Sequence, residues 1–267
     1  MLLERHPSWG IAELRAELPG LPRNSTTAFL RRLRRLRKRR RRRRRPRLKW
    51  VAPGAVWAID GTWLDQPVGP LGRRALIVVE LHSKRVLALQ SVPGERADAV
   101  EQVLAALIAK HGAPLVLKLD NGSAFIAKRT AIFCRSHGIS LMHSPPRTPR
   151  FNGTVEVCGR WAKARVTRAA EARGARGELS QADLDAAVNF VGELPRIDAD
   201  DRARFQDAVA EHLRVVAAER GLVLGPAFHD HARRRLSRVA VQRALIQCHM
   251  LTIEGRGYIQ SLPRSSA

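Results

Sequence analysis

Cysteine is scarce in this chain of 267 residues and is not arranged for a structural site. The three cysteines, Cys134, Cys158 and Cys248, lie far apart and form neither a C-x-x-C pair nor a Cys/His zinc-finger spacing. This excludes a disulfide framework and a structural zinc as the basis of the fold. The pattern indicates a reduced cytoplasmic protein whose cysteines are buried as small apolar residues.

Long apolar runs and targeting signals are also missing. No uninterrupted apolar stretch approaches the roughly 18 residues that a membrane-spanning helix needs. The N-terminus has no apolar segment bounded by a small-residue cleavage site, and no internal repeat is found. We therefore expect no membrane partner.

Acidic residues are outnumbered two to one by basic ones. The chain has 24 Asp and Glu against 48 Lys and Arg, a formal net charge of +24 and a pI near 11.6. Such a polycation releases condensed counterions from a phosphate backbone, so it should bind nucleic acid with a steep salt dependence. Hydrophobic residues make up 45% of the chain, which is enough for a packed core.

The composition divides the chain into residues 1–50, 51–172 and 173–267. The first region has two short helical patterns joined by a Pro/Gly turn, typical of either a helix-turn-helix or a plain helical hairpin. It ends in an arginine run that cannot pack into a core and should contact DNA phosphates through Arg41, Arg42 and Arg43. Little sequence precedes the first predicted helix, which leaves open whether an upstream end-recognition domain is missing or is supplied by another polypeptide.

Residues 173–267 are predicted to be mostly helical, with helices over 181–192, 200–221 and 236–250. Two short strands around Gly255-Arg-Gly follow the last, basic helix. This arrangement suits a winged-helix DNA-binding module, with Arg256 at the tip of the hairpin. The alternative is a helix and hairpin that brace the core.

The central region alternates strand and helix patterns. Strands are predicted over 56–62, 74–81, 85–92, 115–120 and 139–143, and helices over 95–111, 123–137 and 152–172. The order β-β-β-α-β-α-β-α predicts an α/β fold: a mixed five-stranded sheet flanked by helices.

Three acidic residues are placed where this fold would collect a site. Asp60 lies in the first strand, Asp120 ends the fourth strand, and Glu156 lies one turn into the last helix. The carboxyl ends of strands are where sites form in such sheets. Residues 121–155, 35 in all, separate Asp120 from Glu156. The alternative for each acid taken alone is a structural role as a helix cap or a surface charge. We expect such a role for Asp65 and Asp98.

The sequence around these acids resembles the integrase catalytic domain shared by retroviral integrases and many bacterial insertion-sequence transposases. The matching motifs are Trp57-x-x-Asp60-x-Thr62, Asp120-Asn-Gly-Ser-x-Phe125 and Ser144-Pro-Pro-x-x-Pro149-x-x-Asn152-Gly-x-x-Glu156. One departure is Glu80-Leu-His-Ser83, where the family more often has Asp-x-x-Ser. The resemblance covers roughly residues 50–170 and implies a ribonuclease-H-like fold.

The resemblance also implies chemistry. Asp60, Asp120 and Glu156 would hold two Mg²⁺ or Mn²⁺ ions, with Asp60 bridging both, because these hard cations prefer oxygen ligands. The activity would be strand cleavage by water and then strand transfer by a 3′-hydroxyl. Lys163 falls where the family has a basic residue facing DNA, and Asn152 lies in a loop beside the site. Phosphate contacts are also expected from Arg147, Arg150 and Arg160, with solvated surface charge as the alternative.

The expected partners are double-stranded DNA, both element ends and target, and a second copy of the chain, since joining two DNA ends needs at least a dimer. The expected location is the bacterial cytoplasm, in association with the nucleoid. Two other functions stay open at this point. One is a non-catalytic DNA-binding regulator derived from a transposase, and the other is a ribonuclease-H-like nuclease that only hydrolyses. Structural histidines are favoured over metal ligands at His111 and His143.

Overall fold

A computed structural model of the chain describes residues 9–20, 22–43, 47–146, 148–175, 177–188, 192–221 and 231–254. The chain divides into two compact units. One comprises Met1–Leu48 with Ile253–Ala267, and the other comprises Lys49–Thr252. Within the described ranges, no helix has both the length and the apolar character needed to cross a bilayer.

The first unit has two helices, α1 (Ile11–Glu17) and α2 (Arg23–Arg43). Leu14 and Leu30 are buried in this pair. The Glu13 carboxylate accepts a hydrogen bond from the Gly10 amide at the start of α1. Helix α2 continues along the arginine run as far as Arg43.

The second unit contains a five-stranded sheet. Its strands are β2 (Val56–Trp63), β3 (Arg74–Glu80), β4 (Arg85–Ser91), β5 (Val116–Leu119) and β6 (Ser140–His143). A further strand, β1 (Arg47–Trp50), pairs with the late strand β7 (Leu251–Glu254) in a separate two-stranded sheet.

Helices α3 to α9 follow the chain through this unit. They are α3 (Ala97–His111), α4 (Ser123–Ile126), α5 (Lys128–Ser136), α6 (Gly153–Ala172), α7 (Gln181–Asp185), α8 (Ala199–Ala218) and α9 (His231–Gln247). Helix α9 contacts both α8 and strand β6.

The large sheet has the order β4-β3-β2-β5-β6. Strands β2, β3 and β4 pair antiparallel, whereas β5 runs parallel to both β2 and β6. Three antiparallel strands followed by two parallel ones, with helices between them, are the arrangement of the ribonuclease-H-like integrase core. The predicted fold class is therefore confirmed.

The two faces of the sheet have different roles. Trp57 and Ile59 of β2, together with Leu117 and Leu119 of β5, pack into the main hydrophobic core with helix α3. Side chains alternate along a strand, so Ala58, Asp60 and Lys118 lie on the opposite face. That second face is covered by helix α6, which contacts β2, β3 and β4. The helix that carries Glu156 thus covers the face that carries Asp60.

Three secondary-structure predictions need correction. The single helix expected over 123–137 is broken at Ala127, whose extended backbone (ψ 141°) separates α4 from α5. The Thr130 hydroxyl donates to the Ala124 carbonyl at 2.7 Å, which satisfies an acceptor at this break. The helix expected over 181–192 ends at Asp185, and strand β1 was not predicted at all.

Glu80, the one departure from the family motif, has a structural role. Its side chain is fully buried, and its carboxylate accepts hydrogen bonds from the backbone amides of Gly54, His82 and Ser83. These bonds hold the turn between β3 and β4. The longer glutamate side chain therefore still satisfies the amides of this turn.

A buried acid fastens α6 to α7. The Asp183 carboxylate accepts hydrogen bonds from Arg173 Nη2 at 2.6 Å and from the Ser180 amide at 2.7 Å. The Arg173 guanidinium, and then the Ser180 hydrogen bonds, hold the pKa of Asp183 well below its usual range. A depressed carboxyl pKa contributes stability above the ordinary pKa of aspartate, and this stability is lost as the pH falls.

We expect Asp183→Ala to lower the free energy of unfolding at neutral pH by about 2 kcal/mol, because charged hydrogen bonds are lost. Urea denaturation would measure this. The difference from wild type should shrink in acid, where the wild-type carboxylate is protonated as well. Asp65→Ala, in an exposed position, is the control. Equal losses for the two variants would contradict this assignment.

Candidate active site

The sheet register places two of the three predicted acids side by side. Strands β2 and β5 are parallel neighbours, with Ala58 opposite Lys118. Asp60 lies two residues further along β2, and Asp120 directly follows the end of β5. Adjacent strands are about 4.8 Å apart, so this pairing predicts that the two acids are neighbours, and the charge of Asp120 indeed raises the pKa of Asp60. Alternation along β2 also puts the Asp60 side chain on the face covered by α6.

Backbone amides orient both carboxylates. Asp60 Oδ1 accepts from the Gly61 amide at 3.0 Å, and Asp120 Oδ1 accepts from the Gly122 amide at 2.7 Å. The backbone of Asp120 is fixed as well, because its carbonyl oxygen lies 3.1 Å from His143 Nδ1. His143 is buried, and burial lowers the pKa of its imidazole. It therefore fits the structural role that was favoured from the sequence.

Glu156 lies on the exposed side of the first turn of α6, and Lys118 connects this turn to the sheet. The buried Lys118 ammonium donates to the Phe151 carbonyl at 2.6 Å and to Asn152 Oδ1 at 2.7 Å. It also lies 4.4 Å from the centre of the Phe151 ring. The two residues that precede α6 are thus tied to β5, two positions before Asp120.

The charge of Lys118 acts on two of the acids. Burial lowers the pKa of Lys118 to about 8, while the negative charges of Asp60 and Glu156 oppose that shift. Lys118 therefore lies within electrostatic reach of both carboxylates. The positive charge of Lys118 in turn lowers the pKa of Asp60.

Asp60 is in an unfavourable place for a negative charge. Burial, followed by the charge of Asp120, raises the pKa of Asp60 to about 6, and the charge of Glu95 contributes to this shift. Glu95 approaches so closely that a Cβ on Gly61 would lie 2.3 Å from its Oε1. Position 61 is thus open to glycine alone unless Glu95 moves. Glu95 is itself paired with Arg74 at 2.8 Å.

This donor set fits a divalent cation in its chemistry. The carboxylates of Asp60 and Asp120 repel each other, and a hard cation between them would relieve the repulsion. Whether all three predicted acids lie close enough to share a metal ion is a separate question. Within the described ranges, no three Asp, Glu, His or Cys side chains are grouped closely enough to hold a metal. Asp60 and Asp120 are close enough for the charge of Asp120 to raise the pKa of Asp60, whereas the negative charge of Glu156 acts on Lys118.

The raised pKa of Asp60 has a measurable effect on stability. The folded chain holds the Asp60 proton up to about pH 6, whereas the unfolded chain loses it near pH 3.8, so stability falls as the pH rises between these values. Asp60→Asn removes this loss and keeps an acceptor for the Gly61 amide. In chelator-treated buffer above pH 6, we expect the variant to be more stable by about 2 kcal/mol, or to melt roughly 5 °C higher.

Calorimetry at two pH values tests this expectation. The advantage of Asp60→Asn should nearly vanish close to the ordinary pKa of aspartate, where both proteins are uncharged at this position. Asp65→Asn should show no such pH-dependent difference. An advantage that stayed constant across the pH range would show that burial and like charge do not destabilise the Asp60 carboxylate.

The predicted DNA-contact residues have different positions. Lys163 Nζ lies 3.4 Å from the Trp63 carbonyl at the end of β2, and Arg160 is exposed on α6. Asn152 uses its amide oxygen to accept from Lys118 and from the Ser144 hydroxyl. Arg147 lies outside the described residues, as do the side chains of Arg150, Arg41, Arg42 and Arg43. The DNA roles of this set stay predictions.

Sequence reasoning missed Lys118 and Glu95. Lys118 alternates with the apolar residues Leu117 and Leu119, and that alternation was a usable signal that it shares a face with Asp60 and Asp120. Glu95 gave no comparable signal. It precedes α3, and only the tertiary packing brings it against Gly61.

Comparison with known proteins gives one family match. Residues 51–149 match the integrase core domain. The match includes Asp60 and Asp120 and ends before Glu156. A curated relative is the Gag-Pol polyprotein of avian reticuloendotheliosis virus, which is 26% identical over 122 residues. The alignment covers 46% of this chain and only 10% of the polyprotein, so the chain spans about a tenth of that relative.

Solved structures of viral integrases are also similar. The catalytic core domain of BIV integrase is 27% identical, with 52% of this chain and 87% of that chain covered and a TM-score of 0.42. The HTLV-2 integrase catalytic core domain in complex with magnesium is 20% identical, with coverages of 53% and 84% and a TM-score of 0.42. The family match thus covers residues 51–149, which contain strands β2 to β6.

Proposed function

We propose that this chain is a DNA transposase or integrase that cuts and joins DNA by metal-dependent phosphodiester chemistry. The observation that carries the proposal is the register of β2 and β5. Ala58 lies opposite Lys118, so Asp60 and Asp120, each two residues further on, are expected to be neighbours, and the charge of Asp120 raises the pKa of Asp60 in support of this. The integrase core match over the first two acids supports the same chemistry. The charge of Asp120 raises the pKa of Asp60, so the two carboxylates repel each other. A purely structural role would not explain this repulsion.

Asp60, Asp120 and Glu156 would hold two Mg²⁺ or Mn²⁺ ions, which supply activation of the attacking oxygen and stabilisation of the leaving oxygen. The Gly61 and Gly122 amides each donate a hydrogen bond to one of the two aspartates and so restrict the orientation of its carboxylate. Lys118 holds the residues before α6 and, through them, the start of the Glu156 helix. No protein nucleophile is required, since water and then a DNA 3′-hydroxyl attack the phosphodiester.

The proposed substrate is double-stranded DNA, and it is attracted by the net charge of +24. Joining two ends of an element requires two active sites, so the active form would be at least a dimer. We further propose that the element is a bacterial insertion sequence. The protein would then work in the cytoplasm, on nucleoid DNA.

A strand-transfer assay tests the function. The purified full chain is incubated with labelled duplexes carrying the repeats that flank its gene, with Mg²⁺, with Mn²⁺ or with a chelator. We expect metal-dependent cleavage followed by joined products. Cleavage without joining would support a hydrolytic nuclease instead. Metal-independent binding without any cleavage would support a regulator, and either result would overturn the proposal.

A further inference from the structure

A basic pocket lies beside the second acid. Its volume is about 290 Å³, and its walls come from the ends of β5 and β6 and from helix α9. The lining residues are Asn121, His143, Ser144, Pro145, Pro146, Arg234, Arg235 and Arg238. A volume this small suits one group of an extended ligand better than a whole drug-sized molecule.

One wall is built into the candidate active site. Asn121 directly follows Asp120, and its side-chain amide donates to the Ser144 carbonyl at 2.9 Å. His143 touches the Asp120 carbonyl through its ring nitrogen. A group bound in this pocket would therefore lie next to the backbone that carries a predicted catalytic acid.

The other wall is a row of guanidinium groups on α9. Arg234 and Arg238 are four residues apart and share one side of the helix, with Arg235 beside them. None of the three has an acidic partner within the described part of the chain. The ion pairs found there involve other arginines. The Nε of Arg234 is buried and has no hydrogen-bond partner among the described residues.

This concentration of positive charge is unfavourable without an anion. Burial, together with the charges of Arg235 and Arg220, lowers the pKa of Arg238. The charges of Arg234 and Arg238 add to the burial that lowers the pKa of His143. The chain thus places like charges together on a part-buried surface, an arrangement that an anionic ligand would stabilise.

We infer that this pocket binds a backbone phosphate of the DNA strand that runs past Asp120. A planar guanidinium group can donate hydrogen bonds to two phosphate oxygens at once. Two such groups four residues apart on a helix can bind the same phosphate. The assignment rests on the proposed function, because that function brings a DNA strand to Asp120. Through this contact, α9 would position the DNA strand next to the reacting bond. Such a contact positions DNA without reading its sequence.

The test is the salt dependence of DNA binding by the full chain carrying Asp120→Asn, so that no chemistry occurs. Fluorescence anisotropy on a labelled duplex, without metal, gives the slope of log K against log salt. The double variant Arg234→Gln/Arg238→Gln should reduce that slope by about 1, as expected for one lost phosphate contact, and weaken binding about tenfold at moderate salt. The control Arg135→Gln/Arg214→Gln removes two exposed arginines elsewhere in the same unit.

A double variant that keeps the slope and affinity of its control would overturn the assignment. Arg235→Gln, at an exposed position, gives a second measurement should the double variant fail to fold, and it should show a smaller change in the same direction. The outcome is separable from the proposed function. Loss of catalysis in the strand-transfer assay does not enter this binding measurement, and an unchanged salt slope leaves the metal chemistry untouched.

Discussion

Asparagine in place of Asp120 should abolish both cleavage and joining. The substitution keeps the shape of the side chain and an oxygen that can accept from the Gly122 amide. It removes the negative charge that a divalent cation needs. Loss of several kcal/mol of metal-derived stabilisation corresponds to a fall in rate of roughly 10³-fold or more.

DNA binding should survive the same substitution. Most of the affinity is expected from the excess of basic residues, so Asp120→Asn should keep the wild-type salt slope within about one phosphate contact. Asp65→Asn, which removes an exposed acid outside the site, should keep full activity. Retained strand transfer by Asp120→Asn would show that the site is assigned to the wrong residues.

A second effect of Asp120→Asn separates electrostatics from folding damage. The charge of Asp120 is one of the causes that raise the pKa of Asp60 to about 6. Without that charge, the pKa of Asp60 should move down toward 3.8, its ordinary value. Carboxyl titration by NMR in metal-free buffer would detect this movement, which simple loss of structure would not produce in a folded variant.

Methionine in place of Lys118 should reduce the strand-transfer rate by about 10- to 100-fold at saturating metal, the range seen when groups that orient metal ligands are removed. The substitution deletes the donors to the Phe151 carbonyl and to Asn152 Oδ1. The start of α6 then loses its tether to β5, and Glu156 loses its defined position. Lys118 acts here as a positioning residue.

The pH profile distinguishes this role from a merely structural one. The positive charge of Lys118 lowers the pKa of Asp60, so its removal should raise that pKa above about 6. At metal concentrations below saturation, protons compete with the cation for Asp60. The acidic limb of the pH–rate profile should therefore move to higher pH in Lys118→Met.

Two companion variants complete that experiment. Lys118→Arg keeps the charge and should hold the acidic limb near its wild-type position, even where its rate is reduced. Lys110→Met removes an exposed lysine from α3, away from the site, and should leave both the rate and the profile unchanged. A Lys118→Met profile that coincides with wild type would rule out electrostatic contact with Asp60.

Much of this fold was predictable because its signals are local. The nearly continuous apolar run of β3 marks a buried central strand, and the apolar stripe of α3 matches the face that packs on Trp57 and Ile59. The helix broken at Ala127 was not predictable in the same way. A hydrogen bond from the Thr130 hydroxyl to the Ala124 carbonyl accompanies the break, and either a continuous or a broken helix satisfies the residue pattern.

The site was predictable in part for a related reason. Asp60 and Asp120 each lie in or just after a predicted strand, so their place in the sheet was visible, whereas the parallel pairing of β2 with β5 is seen only in the structure. Glu95 and the arginines of α9 reach the site only through tertiary packing, so no spacing in the chain announces them. Lys118 was predictable in part. Its place on the same face of the sheet as Asp60 follows from the alternation along β5, but its hydrogen-bond partners, the Phe151 carbonyl and Asn152, do not.

We propose that Asp60, Asp120 and Glu156 together bind divalent cations. Crystals of the full chain soaked in manganese, with anomalous diffraction recorded at the manganese edge, would test it most directly. We predict anomalous density between the carboxylates of Asp60 and Asp120, with Glu156 turned toward it and no such density in Asp120→Asn. Manganese bound elsewhere, with no density beside Asp60 and Asp120, would contradict the claim.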